Sequence, residues 1–329
     1  MHVLYIGGTG EISYSCIHAS AALGHRISVF NRGRCSEPLP AGITPIQGDL
    51  ADDAAYARLG ERTWDVVCQF KAYNRAEIQR DLRTFAGKVG QYVFISSASV
   101  YQKPPLSYVF TEAHPIGNPY WAYSQQKADM ERDLMAAHAA GRIPITIVRP
   151  SHTYRRNFPS IAQSGDDYAW RLLHGKPIII HGDGTSLWTY THADDFAIPF
   201  TRLLGNTRAI GETFHLTAHI KGYTWNQIYA ACASALGVEP TFVHIPTATL
   251  VRVCPDLQGN LLGDKAWPSL FDNSKVRAVT GEHAPRVTLE EGLRGAALHV
   301  RARLQNHQPD AAAHAFWDRI IKAQQDIAG

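Results

Sequence analysis

The sequence predicts an α/β protein: a doubly wound parallel sheet with a smaller C-terminal α/β lobe. Three observations predict it. Short apolar runs alternate with helically spaced segments over the first 150 residues. A glycine turn joins the first run to the first helix. The length, 329 residues, suffices for one large core or for two that share a cleft.

The elements follow in order. His2 to Ile6 reads as a buried strand, Ile12 to Leu23 as a helix stopped at Gly24, and Arg26 to Phe30 as the second strand. Thr44 to Gln47, Asp65 to Gln69, Tyr92 to Ile95 and Ile145 to Arg149 are further short apolar runs. Helical segments lie at Ala51 to Leu59, Arg75 to Phe85 and Tyr120 to Ala140. After Arg149 the pattern loosens. Ile178 to His181 and Phe214 to Thr217 are free to join the sheet. Thr224 and Gln227 make a capping box for a helix that ends at Gly237. Thr241 to Ile245 reads as a strand closed by Pro246, and Leu289 to Leu304 and Ala311 to Ala328 as late helices.

Composition narrows the function. The chain is 45% hydrophobic and 19% charged, which is ordinary for a globular protein. Its net charge of +3 is not gathered into a basic run, which argues against a nucleic-acid partner and suits an anionic cofactor or small substrate. Cys16, Cys35, Cys68, Cys232 and Cys254 are scattered without a C-x-x-C, and the histidines form no H-E-x-x-H. Neither a disulfide framework nor a metal site is expected. No apolar stretch approaches the roughly 18 residues of a membrane span. The chain enters its first strand without a basic leader, so no membrane partner and a cytoplasmic location are expected.

The first strand runs into Gly7-Gly8-Thr9-Gly10-Glu11-Ile12-Ser13. Glycines there let backbone amides approach a pyrophosphate, and the helix that follows aims its positive end at the same anion. Ser13 occupies the third small-residue position. Some twenty residues on, where an acid would bind a ribose hydroxyl, the chain reads Phe30-Asn31-Arg32-Gly33-Arg34. A carboxylate repels a 2′-phosphate and a guanidinium pairs with it, so the cofactor is NADP or NAD with the charges favouring NADP. Asp49, in Gly48-Asp49-Leu50, suits either an adenine amino group or the N-cap of the next helix.

Tyr123 and Lys127 lie four residues apart in the long helix, on one face. A cation beside a phenol favours the phenolate, which a general acid-base working near neutral pH requires. Upstream, the run Tyr92-Val93-Phe94-Ile95 ends in Ser96-Ser97-Ala98-Ser99, placing hydroxyls where the cleft should open. Ser97 is the candidate that orients a substrate hydroxyl or carbonyl toward Tyr123.

These residues, with Arg149-Pro150, Gly182-Asp183-Gly184-Thr185 and His192-Ala193-Asp194-Asp195, resemble the extended short-chain dehydrogenase/reductases, the group of NAD-dependent epimerases and dehydratases. The resemblance implies a Rossmann domain over residues 1–150, with 178–220 returning to it, and a substrate lobe over the remainder of 151–329. It implies Ser97, Tyr123 and Lys127 as the catalytic triad. It sets Gly7, Thr9, Gly10, Glu11, Ile12, Asn31, Arg32, Arg34, Asp49, Leu50, Phe70, Lys71, Ala72 and Pro150 against the cofactor together with Tyr123 and Lys127. It sets Ser97 against the substrate; Ser99 beside it, and His152 and Trp188 in place of family residues, are further substrate candidates, and His192 and Asp195 read as helix-capping structure. Family members often dimerise through two helices of the first domain, including the one that bears Tyr123.

Departures from the family pattern matter. Ala98 and Ser99 replace the acid-base pair that sugar 4,6-dehydration needs. Trp188 replaces an arginine that clamps a substrate diphosphate; an indole stacks on a base or sugar face instead. Lys71 replaces a small residue and has a phosphate or solvent to reach. The reading is therefore an NAD(P)-dependent epimerase or oxidoreductase moving hydride at a hydroxyl or carbonyl of a sugar-like substrate, nucleotide-linked or free. The alternative is RNA binding on a dehydrogenase scaffold, since the chain is also similar to the chloroplast stem-loop-binding proteins; the intact triad and modest charge argue against it.

Overall fold

The computed structural model describes residues 1–34, 37–163 and 165–328. Cys35 lies outside them; Cys16, Cys68, Cys232 and Cys254 are free thiols. Among the described residues the main sheet has seven strands: β1 (His2–Ile6), β2 (Arg26–Asn31), β3 (Thr44–Gln47), β4 (Trp64–Gln69), β5 (Val89–Ile95), β6 (Ile145–Pro150) and β7 (Glu212–Leu216). All neighbours are parallel, in the order β7-β6-β5-β4-β1-β2-β3. The chain runs outward from β1 to β3 and then returns to the other side of β1. That reversal opens a crevice at the carboxyl ends of β1 and β4.

Side chains alternate between the sheet's two faces. Val3 and Tyr5 join the layer of Ile17, Phe196 and Phe200, beneath α1 (Glu11–Ala22) and the later helix Ala193–Leu203. Leu4 and Ile6 join Ile78, Leu82, Met130 and Leu134, beneath α2 (Arg75–Phe85) and α3 (Ala122–Ala139). Strands covered on both faces must be apolar throughout, which is why they read as unbroken runs. A second core gathers Ile178 and Ile180 with Trp225, Ile228 and Tyr229 and with Leu293, Ala296 and Val300.

Local signals placed most boundaries. Thr224 and Gln227 form the reciprocal box, with Thr224 Oγ1 accepting from the Gln227 N–H at 3.1 Å and Gln227 Oε1 from the Thr224 N–H at 2.9 Å. Three details differ from the sequence reading. The helix expected over Ala51 to Leu59 starts at Asp53, because Asp52 caps it by accepting from the Ala55 N–H at 3.0 Å; Asp49 instead turns the chain by accepting from the Ala51 N–H. Phe214 to Leu216 pairs with β6, whereas Ile178–His181 pairs with Phe242–Ile245 outside the main sheet. His192 caps Ala193–Leu203, but Asp195 reaches further and accepts from the Arg286 and Val287 N–H groups at 2.7 and 3.1 Å. Among the described residues, no helix is long and apolar enough to cross a membrane.

Candidate functional site

The carboxyl ends of β1, β4, β5 and β6 surround one cleft of about 300 Å³. The first contributes Gly7, Gly10, Glu11 and Ile12, the second Phe70 and Lys71, the third Ser96 and Ser97, and the last Pro150 and Ser151. Tyr123 and Lys127 reach it from α3.

The glycine turn is shaped by what surrounds it. Gly7 has φ +83°, and a Cβ there would stand 2.2 Å from Lys71 Cγ, so the lysine stem lies across the turn. A Cβ on Gly8 would meet Ile17 Cδ1 at 2.3 Å and Val29 Cγ1 at 2.8 Å, which makes Gly8 the residue that lets helix and sheet touch. Ser13 is buried, and its hydroxyl laces the turn, donating to Gly7 O and accepting from the Gly10 N–H, both at 2.9 Å. That hydroxyl is the reason a serine serves where the family pattern has a smaller residue.

Glu11, at the start of α1, faces outward into an ion-pair clasp. It accepts from the backbone N–H groups of Arg155 and Arg156 at 3.0 Å and from Arg156 Nε at 2.7 Å. Glu37 accepts from Arg155 Nη1 and Nη2 at 2.8 and 2.6 Å and from Arg156 Nη1 at 2.6 Å. Two guanidiniums hold the Glu37 carboxyl down at about 2, chiefly through the Arg155 hydrogen bonds. The clasp ties the turn after β2 and the pyrophosphate-type turn to the segment after β6. Asn31 Oδ1 accepts from the Gly33 N–H, and Arg32 and Arg34 are exposed.

Lys127 is 2% exposed. Its ammonium donates to Ala72 O at 2.8 Å and Ile95 O at 2.9 Å, and stands 5.8 Å from the Tyr123 ring centre. Burial pushes its pKa down to about 7, against the attraction of Glu131 and Glu77. Burial also pushes the Tyr123 phenol up to about 12, with Tyr73 adding to the rise and a hydrogen bond with the Ser97 hydroxyl opposing it. The sequence argument expected the cation to lower the phenol. The pair shares a face as the spacing required, but burial sets the direction of the phenol's shift.

Ser97 Oγ and Ser99 Oγ are 2.9 Å apart, and Ser124 Oγ donates to Ser99 Oγ at 2.7 Å. Ser99 is buried, and its backbone carbonyl accepts from Asn118 Nδ2 at 2.8 Å. Beyond Tyr123 a second cavity of about 240 Å³ is lined by Ser97, Ser99, His152 and Trp188. The two cavities share Ser97, Tyr123, Pro150 and Ser151, so Tyr123 stands in the wall between them. Burial and the Lys265 charge push His152 down to about 3, leaving a neutral imidazole.

Gly7, Gly10, Glu11, Ile12, Phe70, Lys71, Ser97, Tyr123, Lys127 and Pro150 thus come together around the first cleft. Ala72 contributes its carbonyl to Lys127, while Asn31 ends β2, Arg32 and Arg34 follow it, and Asp49 and Leu50 follow β3, none of them lining the cleft. Thr9 occupies the turn itself. Sequence reasoning missed Tyr73 and Ser96 in the first cavity and Trp121, Asp264 and Lys265 in the second. Ser96 Oγ is buried without a partner among the described residues. Ser96, next to Ser97, and Trp121, two residues before Tyr123, had a local signal.

The NAD dependent epimerase/dehydratase family model matches residues 3–216. The chain is 29% identical to 2'-dehydrokanamycin reductase of Streptomyces kanamyceticus over 276 residues, covering 83% of this chain and 77% of that one. It is 26% identical to the chloroplast stem-loop binding protein of 41 kDa b of Arabidopsis thaliana, covering 74% of this chain and 65% of that one. In structure it is similar to Thermus thermophilus UDP-glucose 4-epimerase in complex with NAD, with a TM-score of 0.72 and 20% identity, covering 92% of this chain and 99% of that one.

Proposed function

We propose, from the premise that this chain belongs to the NAD dependent epimerase/dehydratase family, that it moves hydride at a hydroxyl or carbonyl carbon of a sugar-like substrate with Tyr123 as the general acid-base. The relatives named as reductases and epimerases support the enzyme class. The observation that carries the mechanism is the place of Tyr123, in the wall common to both cavities and within reach of Ser97.

The first cleft suits a dinucleotide. Gly7 lets the Lys71 stem cross the turn at the cleft floor, and the unpartnered Ser96 hydroxyl lines the same cleft. Gly10, Glu11 and Ile12 lie at the positive end of α1, where a pyrophosphate binds. Arg32 and Arg34 suit a 2′-phosphate, and Glu37 is already paired with Arg155 and Arg156. NADP is therefore the favoured form. Residues 1–150 with β7 hold the cofactor in this reading, and the remainder forms most of the substrate wall.

When bound, the nicotinamide supplies or accepts the hydride. Tyr123 takes the proton of a substrate hydroxyl, or returns it to a carbonyl oxygen. Ser97 donates to that oxygen and holds it against the phenol. Lys127 favours the phenolate once its charge is restored by ligand oxygens.

Tyr123→Phe tests this. Turnover of a keto-sugar with NADPH falls by about a thousandfold or more, within the range general acid-base catalysis supplies, while NADPH binding stays intact. Turnover equal to the parent removes the assigned role. RNA binding remains the second reading because of the similarity to the chloroplast protein. It predicts steep salt dependence of RNA affinity with no need of Tyr123.

A further inference from the structure

We infer that the second cavity takes a single free sugar or cyclitol ring, held by Trp121, Trp188 and the Asp264–Lys265 pair, and has no seat for a nucleotide diphosphate. This rests on the hydride-transfer reading above and names the substrate class for it.

The wall opposite Ser97 is built by Leu257–Asn260 and the π-type turn Leu261–Lys265, a geometry frequent at functional sites. Two glycines press this segment onto Trp121. A Cβ on Gly259 would stand 2.3 Å from Trp121 Cδ1, and one on Gly263 would stand 3.0 Å from Trp121 Cβ. Asn118 Nδ2 fastens it to the catalytic strand end, donating to Gly263 O at 2.6 Å and Ser99 O at 2.8 Å. Lys265 and Asp264 are thereby held at a fixed place beside Ser99.

The Lys265 ammonium lies 5.7 Å from the ring centres of both Trp121 and Trp188. It is already partnered, by Asp264 Oδ2 at 3.1 Å and Asn260 Oδ1 at 2.5 Å. Its charge is therefore balanced within the wall, and no arginine lines the cavity among the described residues. A diphosphate would enter without a free cation to meet it, at the cost of burying an unpaired anion. The volume, about 240 Å³, lies below the roughly 300–1,000 Å³ of sites for drug-sized ligands and is small for a nucleotide sugar.

A ring polyol has what this wall offers. The half-buried Trp121 indole supplies an apolar face for C–H groups, and the buried Trp188 lines the cavity beside it. Asp264 accepts from hydroxyls. The Trp188 N–H, buried and without a partner among the described residues, is left for an acceptor. Neutral His152 serves as donor or acceptor to an adjacent hydroxyl. Balanced charge with many short-range hydrogen-bonding groups selects uncharged hydroxylated rings.

The test is a tryptophan-fluorescence titration of the NADPH-loaded protein. The probes are D-glucose, D-galactose and scyllo-inosose as free rings, and UDP and UDP-glucose as nucleotides. The inference predicts a saturable response to at least one free ring and none to UDP. Trp188→Phe should reduce the response, and Asp264→Asn should weaken ring binding by about tenfold, the scale of one charge-assisted hydrogen bond, with NADPH affinity unchanged. Binding of UDP-glucose tighter than every free ring overturns the inference, as does silence from all three rings. Both comparisons use the unaltered protein, so they stand even if a variant fails to fold. Failure of the protein to take up either NADPH or NADH strikes the hydride-transfer reading instead.

Discussion

The Lys127 ammonium stands 5.8 Å from the centre of the Tyr123 ring, yet its hydrogen bonds run to the carbonyls of Ala72 and Ile95. Those two bonds anchor α3 to the ends of β4 and β5, on either side of the cleft. Burial then governs both groups, holding the phenol at about 12 and the amine at about 7. A ligand that brings oxygens to Lys127 restores its charge and with it the attraction on the phenol.

The depressed Lys127 pKa makes stability depend on pH. An unfolded lysine binds its proton up to about pH 10.4, whereas the folded one releases it near 7. The unfolded chain therefore holds the extra proton between these values, and folding gains stability as pH rises through that window. The gain is at most about 1.4 kcal/mol per pH unit. Lys127→Met should flatten this rise, as read from urea denaturation of both proteins at several pH values. Parallel pH profiles would contradict the assignment.

Gly8 and Gly10 should separate packing from ligand binding. Gly8→Ala forces a methyl against Ile17 and Val29 and should cost about 1–3 kcal/mol. At Gly10 the nearest atom to an added Cβ is Ser13 Oγ at 3.4 Å, so Gly10→Ala should leave stability within about 1 kcal/mol. It should still weaken NADPH binding, by crowding the pyrophosphate turn. Denaturation and NADPH fluorescence titration check both, and equal destabilisation by the two changes would refute this division.

How far the sequence reaches depends on how local each signal is. The glycine turn, the capping box at Thr224 and Gln227, and the Tyr123–Lys127 spacing each lie within a few residues, and each was legible. The partner of Ile178–His181 was not, because a four-residue apolar strand pairs equally well with any open edge, and Phe242–Ile245 supplied one. Asp264 and Lys265 were also invisible. They sit beside Ser99 only because Gly259 and Gly263 let a segment 160 residues downstream close on Trp121. The phenol's pKa was misjudged because charge was read from spacing while desolvation depends on the whole fold.

The exposed Arg32 should distinguish the two cofactors. Arg32→Ala should weaken NADP binding by about tenfold, the worth of one charge-assisted hydrogen bond, and change NAD binding little. Titration calorimetry with each dinucleotide checks this. Equal losses would remove the NADP preference.

Arg155 and Arg156 clasp Glu11 and Glu37 beside the turn that opens α1. Glu37→Gln keeps the shape and removes the charge. In the proposed reading it should speed NADPH release, because Glu37 holds Arg156, which in turn holds Glu11 at the start of α1. Stopped-flow displacement of NADPH measures it. An unchanged off-rate would show that the clasp holds the fold and does not gate the cleft.

The most direct measurement is the electron density of crystals soaked in NADPH. The account predicts the reactive nicotinamide carbon beside the Tyr123 hydroxyl, with Lys127 on the adjoining ribose and the pyrophosphate over Gly10 to Ile12. A dinucleotide found elsewhere, or a nicotinamide turned away from Tyr123, would contradict it.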